Sequence, residues 1–462
     1  MERYPALYYA LAVISGIALA YGVWPPFFLI LFGSGWIKKI GFTLIALGMC
    51  GQTLFFAEAP LETQTTGVGY YQLTKIRKFE NSFGYYGKMK CFVSEEGIYY
   101  DLPCTFFRKD LLSPGSDYLI KGSLKPNSHG LYGLFPSSFT PLPYTKNLSH
   151  LRFKLKEKFR SHLKHHIKDQ TCYSFLASLG TGEIESKLLS AQFSKCGLTH
   201  TLAISGFHYT WLIFILGAFL NLFFSKRSTC YFLLVIVTLY FLFIGETPSL
   251  NRAWLAAIIC LVGYLIKEPV NGLNSLGVAV IISLILNPFA IFEIGFQLSY
   301  LATFGILALF PSIEFHLRKI FPKRDTFQIG YFLSAFCRNT FALTLGVNLA
   351  TIPLLLYHFH YFPIISLFFN LFFPIAITLP MIGLILSPIP AIGTPLLFLT
   401  ELYTTPLLNT VFYGASFLES GIWVDHIPFD LLAAFLLGTL LLGLYLEGLR
   451  YKIREALSLN FL

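Results

Sequence analysis

Nine long apolar runs follow one another along this chain and require a membrane environment. They cover residues 201–224, 231–245, 253–267, 274–288, 291–311, 331–358, 361–388, 393–418 and 430–448. A helix needs about 20 mainly apolar residues to cross a bilayer, and several runs reach that length. The chain is 55% hydrophobic and only 13% charged, well below the charged fraction of about 25% in soluble domains. Because strands of outer-membrane barrels span only about ten residues, the runs predict a polytopic α-helical membrane protein.

Residues 1–57 are predicted to form an N-terminal group of transmembrane helices. Their apolar stretches are interrupted at Pro25–Pro26 and Lys38–Lys39, which indicates three crossings with a short second one. The alternative is one long, kinked span followed by another. The first residues lack the features of a cleaved signal peptide, so we expect the first span to be retained. The whole chain is then expected to have about 12 spans, some short or broken.

Residues 58–148 differ from the rest, because polar residues and turn signals replace the apolar runs. In five short segments, apolar and polar residues alternate or β-branched and aromatic residues are frequent. They are Val68–Lys78, Tyr85–Ser94, Ile98–Phe107, Asp117–Leu124 and Leu131–Phe139. Five strands in so short a region predict a small β-barrel of the OB type. Another small β domain is the alternative.

Residues 149–170 form a basic amphipathic segment with seven Lys/Arg and two acidic residues. Leu151, Leu155, Phe159 and Leu163 recur at i+4 and give an apolar stripe. The segment could lie on the membrane with its lysines toward lipid phosphates. It could also be a basic collar that guides nucleic acid. We call it the basic interfacial helix.

The basic clusters of the chain indicate its orientation, since Lys and Arg accumulate in cytoplasmic loops. The clusters are Lys38–Lys39, Lys226–Arg227, Lys267, Arg318–Lys319, Lys323–Arg324 and Arg450 to Arg454. We place the N-terminus in the cytoplasm and count three spans before the β domain and nine after it. Every basic cluster then falls on the cytoplasmic side. The β domain is then extracytoplasmic, residues 171–448 form the main membrane domain, and residues 449–462 form a short cytoplasmic tail.

Several polar residues inside or at the edge of apolar runs are predicted to gather near the outer face. Such residues usually face a bundle interior or a water path. They are Ser205, Gly206, His208, Arg252, Gln297, His358 and Asn370. Arg252 is the best phosphate ligand among them, because a guanidinium pairs with phosphate bidentately. The alternative role of Arg252 is an ion pair with Glu246 or Glu293. For His208 and Gln297 the alternative is a hydrogen bond between helices, and Gly206 permits close helix approach.

The β domain carries its own candidate contacts, which mix aromatic and basic side chains. The candidates are Tyr70, Lys75, Arg77, Tyr86, Lys88 and Lys90. Aromatic rings can stack on bases while lysines contact the backbone of a single strand. The same mixture also suits a surface resting on lipid headgroups. Cys91 and Cys104 lie in this domain and could form a disulfide, or remain two free thiols.

Cofactor signatures are missing from the sequence. It contains no C-x-x-C pair and no G-x-x-x-x-G-K-[ST] loop, so we predict no cofactor, no bound metal and no nucleotide-driven motor in this chain. Energy for any transport must come from a partner or a gradient.

Four segments together resemble the ComEC family, the DNA-uptake channels of natural competence. They occur in the family's order, as GLTHTLAISGFH from Gly197, PSLNRAWL from Pro248, NPFAIFEIGFQLSYLATFGIL from Asn287 and TIPLLLYHFHYFPIISLFFNLFFPI from Thr351. With the three-span start and the small β domain, the resemblance covers nearly the whole chain. It implies a multi-pass protein of the bacterial cytoplasmic membrane that moves one DNA strand inward.

Many members of that family also carry a C-terminal metallo-β-lactamase-like domain. This sequence ends at Leu462 after an apolar run and contains no H-x-H-x-D-H. We therefore expect a short form that is not an enzyme and not a membrane-bound nuclease. The resemblance implies single-stranded DNA and membrane lipid as partners, with a DNA receptor, a cytoplasmic helicase or motor, and a separate nuclease. The alternative function is a secondary transporter of a small anionic solute. The oligomeric state stays open.

Overall fold

The computed structural model describes residues 4–20, 36–56, 63–79, 82–95, 97–112, 117–126, 132–142, 148–184, 186–202, 206–320, 328–389, 392–417 and 421–459. The chain opens with helices α1 (Pro5–Ala20) and α2 (Trp36–Phe56), which pack against each other. Gly16 lets α1 approach α2 closely, since a Cβ there would lie 2.1 Å from the Ala46 carbonyl oxygen. The short second span predicted around Pro25–Pro26 falls outside the described residues.

Five strands follow and close into a barrel. They are β1 (Thr65–Lys78), β2 (Phe83–Ser94), β3 (Ile98–Arg108), β4 (Tyr118–Pro126) and β5 (Tyr132–Pro141). The order around the barrel is β1-β2-β3-β5-β4, and β4 returns to pair with β1. Neighbouring strands are antiparallel except β3 and β5, which run parallel. All five predicted strands are present, with ends that differ by a few residues.

The barrel has a packed core because successive side chains of a strand point to opposite faces, so that every second side chain points inward. Tyr71, Leu73, Tyr85, Met89 and Ile120 are buried in one cluster. The ring of Tyr85 stacks on that of Phe106 at 4.8 Å between centroids. Burying these large rings is the main stabilising contribution, at about 25 cal/mol per Å² of apolar surface.

The strand register separates the two cysteines of the barrel. Cys91 of β2 is opposite Tyr100, while Cys104 of β3 is opposite Gly87. The thiols are therefore offset by four residues along the strands, about 13 Å at 3.3 Å per residue, far beyond disulfide reach. Both are free. The structure thus corrects the disulfide interpretation and matches the alternative of two free thiols.

Helix α3 (Leu148–His166), which includes most of the basic interfacial helix predicted from the sequence, follows the barrel and packs against β1. Phe153 is buried in the barrel core, with its ring 6.2 Å from that of Phe83. Only part of the predicted apolar stripe is packed, because Leu151 and Leu155 are 54% and 46% exposed. The buried face instead includes Phe153, Lys156, Arg160 and Leu163. Charged residues on that face explain why a pattern of apolar residues did not identify it.

Helices make up the rest of the described chain. In order they are α4 (Gln170–Thr181), α5 (Lys187–Lys195), α6 (Thr199–Leu202), α7 (Gly206–Leu220), α8 (Lys226–Ile244), α9 (Pro248–Ile266), α10 (Gly272–Leu286), α11 (Ile294–Phe304), α12 (Phe310–Ile320), α13 (Gln328–Phe359), α14 (Ser366–Ala376), α15 (Thr378–Leu386), α16 (Gly393–Phe417) and α17 (Phe429–Leu459). A π-helical turn joins α11 to α12, and β6 (Tyr361–Pro363) pairs with β7 (Gly421–Trp423).

Each of the nine predicted apolar runs contains a helix. Among the described residues, six helical segments are long and apolar enough to cross a membrane. They are Lys226–Ile244, Pro248–Ile266, Ile294–Ile320, Ser334–Phe359, Ser366–Leu386 and Phe429–Arg450. Pro5–Ala20, His208–Leu220 and Gly272–Leu286 are shorter apolar helices. The segment Ser366–Leu386 is divided at Ile377, between α14 and α15.

Replacing Gly277 with alanine is expected to destabilise the protein. A Cβ at Gly277 of α10 would lie 2.4 Å from the backbone of Ala6 in α1, so the two helices would have to separate. Overpacking of this kind costs about 1–3 kcal/mol. Gly48→Ala is the matched control, because a Cβ there meets nothing within 4 Å. Unfolding midpoints in SDS titrations of the detergent-solubilised chain should fall for Gly277→Ala only; equal midpoints would refute the contact.

Candidate functional site

The end of the membrane domain that faces the barrel is defined by hydrogen bonds from α3. Arg152 Nε donates to the Leu242 carbonyl at 2.7 Å, and Lys156 Nζ donates to the Ile244 carbonyl at 2.8 Å. These carbonyls belong to the last turn of α8, where helices lack internal donors and favour cations. The C-terminus of α8 and the start of α9 therefore lie on the barrel side.

Arg252 lies near the start of α9, at this same end. Its Nε donates to Ser299 Oγ of α11 at 2.8 Å. No carboxylate lies within ion-pair distance of Arg252 in the part of the chain that the structure describes. The expected alternative, an ion pair with Glu246 or Glu293, is not formed. Arg252 is thus a half-buried cation whose acceptor among the described residues is a neutral hydroxyl.

Gly206 lies directly against Arg252, at the start of α7. A Cβ on Gly206 would be 2.7 Å from a terminal nitrogen of the guanidinium. The glycine therefore permits a close approach of α7 to α9. Three segments far apart in the sequence meet here, since Gly206, Arg252 and Ser299 come from α7, α9 and α11.

Gln297 and His358 form a second polar pair. The side-chain oxygen of Gln297 is 3.3 Å from His358 Nε2 at the end of α13. Gln297 Nε2 also donates to the Ile291 carbonyl at 2.8 Å. Gln297 and Ser299 are two residues apart, about 200° around a helix. The two polar pairs therefore lie on different sides of α11 at its N-terminal end, not in one cluster.

The other candidates of the membrane domain are placed separately. His208 is buried, and His200 of α6 lies close enough to interact with it electrostatically. Ser205 lies outside the described residues. Asn370 of α14 is half-buried, and its Oδ1 has no hydrogen-bond partner among the described residues. No hydrogen bond in the described segments joins Asn370 to either polar pair.

The segment that begins at Gly197 packs against the start of α14. Gly197 has φ of 67°, in the left-handed region that favours glycine. A Cβ there would lie 2.4 Å from Ser366 Cβ and 3.0 Å from Pro363. Two of the four segments that resemble the family are therefore in direct contact, and glycine is required where they meet.

A buried ionic cluster, which sequence reasoning missed, joins α3 to the turn after α4. Glu183 accepts from Lys156 Nζ and from Arg160, each at 2.7 Å, and all three side chains are at most 3% exposed. Arg160 also contacts Glu157 at 2.7 Å, and Glu157 contacts Lys78 of β1 at 3.0 Å. We call Lys156, Arg160 and Glu183 the buried cluster. The available signal was the spacing of Lys156 and Arg160, which places both on the face that carries Phe153 and Leu163.

The buried cluster perturbs the titration of its members and neighbours. Burial by itself raises the pKa of Glu183, but Lys156, Arg160 and Lys75 lower it and outweigh burial, so the net shift is downward. Lys75 of β1 lies close by. Burial lowers the pKa of Lys75 to about 8; Glu183 opposes this, while Arg77, Lys156 and Arg152 add to it. Lys75 thus has one carboxylate and three cations among the charged groups that act on it.

The candidate contacts of the barrel lie on the outer face of β1 and β2. Lys75 is opposite Tyr86 and Arg77 is opposite Gly84, with Lys88 exposed two residues beyond Tyr86. Tyr70 is held by a 2.7 Å hydrogen bond to Asp117. Lys90 is the unpaired residue of β2 where the register with β1 shifts between Tyr70 and Tyr71. All six predicted candidates therefore belong to one surface.

Two aromatic residues that the sequence did not single out complete this surface. The ring of Phe107 lies 5.8 Å from that of Phe79 and 6.4 Å from that of Tyr86. A Cβ on Gly84 would meet all three rings within 3.1 Å, so the three rings converge over a glycine. Phe107 is 58% exposed, and it offers an aromatic face to the surroundings.

An apolar cleft of about 790 Å³ lies between α14 and α16. Phe368, Phe372, Leu407 and Tyr413 are among its lining residues, and Thr410 is one of its few polar groups. Such a lining offers no cation to a phosphate. No group of three or more His, Cys, Asp or Glu residues suited to a metal occurs within the described ranges.

These features define a polytopic membrane protein with a five-stranded barrel joined to one end of its helical domain. Residues 178–449 match the family model described as Competence protein, and the chain belongs to this family. The chain is also 30% identical over 194 residues to the ComE operon protein 3 of Bacillus subtilis (strain 168). That match covers 41% of this chain and 22% of the relative, so the chain matches about a fifth of the relative's length. No solved structure matches the chain significantly.

Proposed function

We propose that this protein is a channel that carries single-stranded DNA across the cytoplasmic membrane during natural transformation. Family membership supplies the class of function. The observation that carries the proposal is Arg252, a half-buried guanidinium at the barrel side whose acceptor among the described residues is the Ser299 hydroxyl. A phosphodiester is the ligand that such a group pairs with best.

The barrel is the proposed extracytoplasmic DNA-binding domain, of the OB type. The order β1-β2-β3-β5-β4 with a parallel β3–β5 pair supports this assignment. OB-folds bind oligonucleotides on the face formed by their second and third strands. Here Tyr86 of β2 and Phe107 of β3 lie on that face with Lys88 nearby, so bases could stack on rings while phosphates contact cations.

The proposed orientation places the barrel outside and the N-terminus inside the cell. Lys226–Arg227 begin α8, about 28 Å from its barrel-side end at 1.5 Å per residue. Lys267 follows the far end of α9, and Arg318–Lys319 lie near the end of α12, away from Ser299. The basic residues thus lie opposite the barrel, as cytoplasmic loops require. About 12 spans, the boundaries predicted from sequence and a role of α3 at the membrane surface are parts of this proposal.

The polar pairs of the membrane domain are the proposed start of the DNA path. Arg252 would contact phosphate, while Gln297 and His358 offer neutral donors and acceptors that can replace water. We assign supporting roles along the path to Ser205, Gly206, His208 and Asn370. The chain is proposed to act without catalysis, with a receptor, a cytoplasmic motor and a separate nuclease as partners.

Reconstitution of the purified chain into liposomes separates DNA transport from transport of a small anion. A complementary oligonucleotide trapped inside would capture an incoming strand and make its entry downhill. We expect external single-stranded DNA to become nuclease-resistant only in liposomes that contain the protein. Entry of small organic anions without entry of DNA would instead indicate a secondary transporter.

A further inference from the structure

The joint between the barrel and the membrane domain carries more cations than its carboxylates neutralise. Both oxygens of Glu183 are already engaged by Lys156 and Arg160. Glu157 is shared by Arg160 and Lys78. Lys75 and Arg152 have no carboxylate within ion-pair distance in the described part of the chain. Glu183 acts on both cations and Glu246 acts on Arg152, in each case from beyond ion-pair distance. Lys75 and Arg152, which we call the joint cations, are therefore the cations of the joint that no carboxylate contacts directly in the described part of the chain.

The joint cations, unlike the buried cluster, remain accessible. Lys156 is 1% exposed and is committed to Glu183 and to the Ile244 carbonyl. Lys75 and Arg152 are only half-buried. Arg152 contacts the Leu242 carbonyl through Nε and the Thr74 carbonyl through one terminal nitrogen. Its other terminal nitrogen has no hydrogen bond within the described residues, so it can donate to a further ligand.

The position of the joint cations indicates which anion they receive. On one side, Lys75 is opposite Tyr86 on the aromatic and basic face of the barrel. On the other side, Arg152 lies against Gly245, where the connection to α9 and Arg252 begins. A lipid headgroup would use only one of these neighbours, whereas a strand that passes from the barrel to Arg252 would use both.

We propose that Lys75 and Arg152 form a phosphodiester-binding site at the joint, which holds the backbone of single-stranded DNA between the barrel and the membrane domain. This inference rests on the proposed function. The buried cluster supports the site by fixing α3 and by supplying positive charge beneath it. Arg152 also caps α8, so Lys75 is the residue whose replacement tests the site most cleanly.

The test is oligonucleotide binding to the full chain in phosphatidylcholine nanodiscs, followed by fluorescence anisotropy with labelled oligo(dT). Lys75→Ala should weaken binding about tenfold, as loss of one charge-assisted hydrogen bond requires. It should also lower the slope of log K against log salt by about 0.7, the value for one phosphate contact on a single strand. Lys154→Ala is the matched control, because Lys154 is exposed on another face of α3.

A pH series gives a second readout that a merely structural role would not produce. Because the pKa of Lys75 is about 8, binding should weaken between pH 7 and pH 9 as the ammonium loses its proton. The groups that act on it are Arg77 of its own strand, Arg152 and Lys156 of α3, and Glu183 after α4. Lys75→Arg keeps the charge throughout this range and should abolish the pH dependence while retaining binding.

Several results would overturn the proposed site at Lys75 and Arg152. Unchanged affinity and salt slope in Lys75→Ala, or equal losses in Lys75→Ala and Lys154→Ala, would overturn the site. So would a variant that binds DNA normally but loses retention of phosphatidylglycerol in mixed-lipid nanodiscs, since the ligand would then be a lipid. The proposed function is tested separately by DNA entry, so a normal binding profile of Lys75→Ala together with protein-dependent DNA entry would refute only the joint site.

Discussion

Replacing Glu183 with glutamine is expected to lower the free energy of unfolding by about 3–5 kcal/mol, the range found when one partner of a buried ion pair is removed. Lys156 and Arg160 would stay buried without their carboxylate, and neither side chain can reach water without moving α3. The measurement is the SDS unfolding midpoint of the detergent-solubilised chain. Limited proteolysis should also show earlier cleavage of the segment between the barrel and α4.

Glu157→Gln is the matched control for this prediction. Glu157 contacts Arg160 from the same helix, but it is 32% exposed, and exposed ion pairs contribute only about 0–1 kcal/mol. The double variant Glu183→Gln with Lys156→Met should recover part of the loss, because it removes one uncompensated cation. Equal midpoints for Glu183→Gln and Glu157→Gln would show that the buried cluster does not hold the joint.

The same cluster predicts a direction for acid unfolding. The folded pKa of Glu183 lies below its ordinary value, so its ionised form is favoured by folding. Such a group contributes stability above its unfolded pKa and loses that contribution as the pH falls through the folded pKa. The wild type should therefore lose stability below about pH 4.5, the ordinary carboxyl range, and Glu183→Gln should lose less over that interval.

Replacing Arg252 with alanine is expected to reduce DNA entry into the cytoplasm about 10- to 100-fold. The loss corresponds to one charge-assisted contact with phosphate, about 1.5–3 kcal/mol. Folding should be little affected, because the residue left behind is the neutral Ser299 hydroxyl and not an unpaired charge. The measurement is nuclease-resistant label in cells complemented with each variant at matched protein levels.

Two further variants test the role of Arg252. One separates charge from geometry at this position, and the other removes a cation elsewhere as a control. Arg252→Lys keeps the charge but not the planar fork, so it should restore entry only in part. Arg227→Ala removes an exposed cation at the opposite end of α8 and should transport DNA like the wild type. Normal entry through Arg252→Ala would contradict the assignment of Arg252 to the DNA path.

The barrel shows how much a local pattern can determine. Period-two alternation and turn residues placed all five strands, because each strand such as β2 has one face in the core and one outside. The closure of β4 onto β1 and the parallel β3–β5 pair depend on contacts distant in sequence. The offset of Cys91 from Cys104 follows from register, which spacing along the chain does not encode.

Helix α3 shows why the joint escaped prediction. A search for apolar periodicity selects Leu151 and Leu155, which are exposed. The packed face contains Lys156 and Arg160, and only the distant Glu183 makes their burial tolerable. The spacing of Lys156 and Arg160 places both on one face of the helix, but whether that face is buried depends on a partner that lies elsewhere in the chain.

The candidate site was predicted in part. The sequence indicated that Gly206 and Arg252 lie near one face, and the structure places them in contact. Gln297 and His358 also meet, but on another side of α11. Rotation around a helix and the pairing of distant helices decide this arrangement, and neither can be read from hydropathy.

The central claim is that single-stranded DNA crosses the membrane through this protein. The most direct measurement is the entry of labelled DNA into the cytoplasm of a deletion strain, with DNA bound at the cell surface measured in parallel. We expect normal surface binding, no nuclease-resistant label in the cytoplasm, and recovery of entry when the wild-type chain is restored. Normal cytoplasmic entry in the deletion strain would contradict passage of single-stranded DNA through this protein.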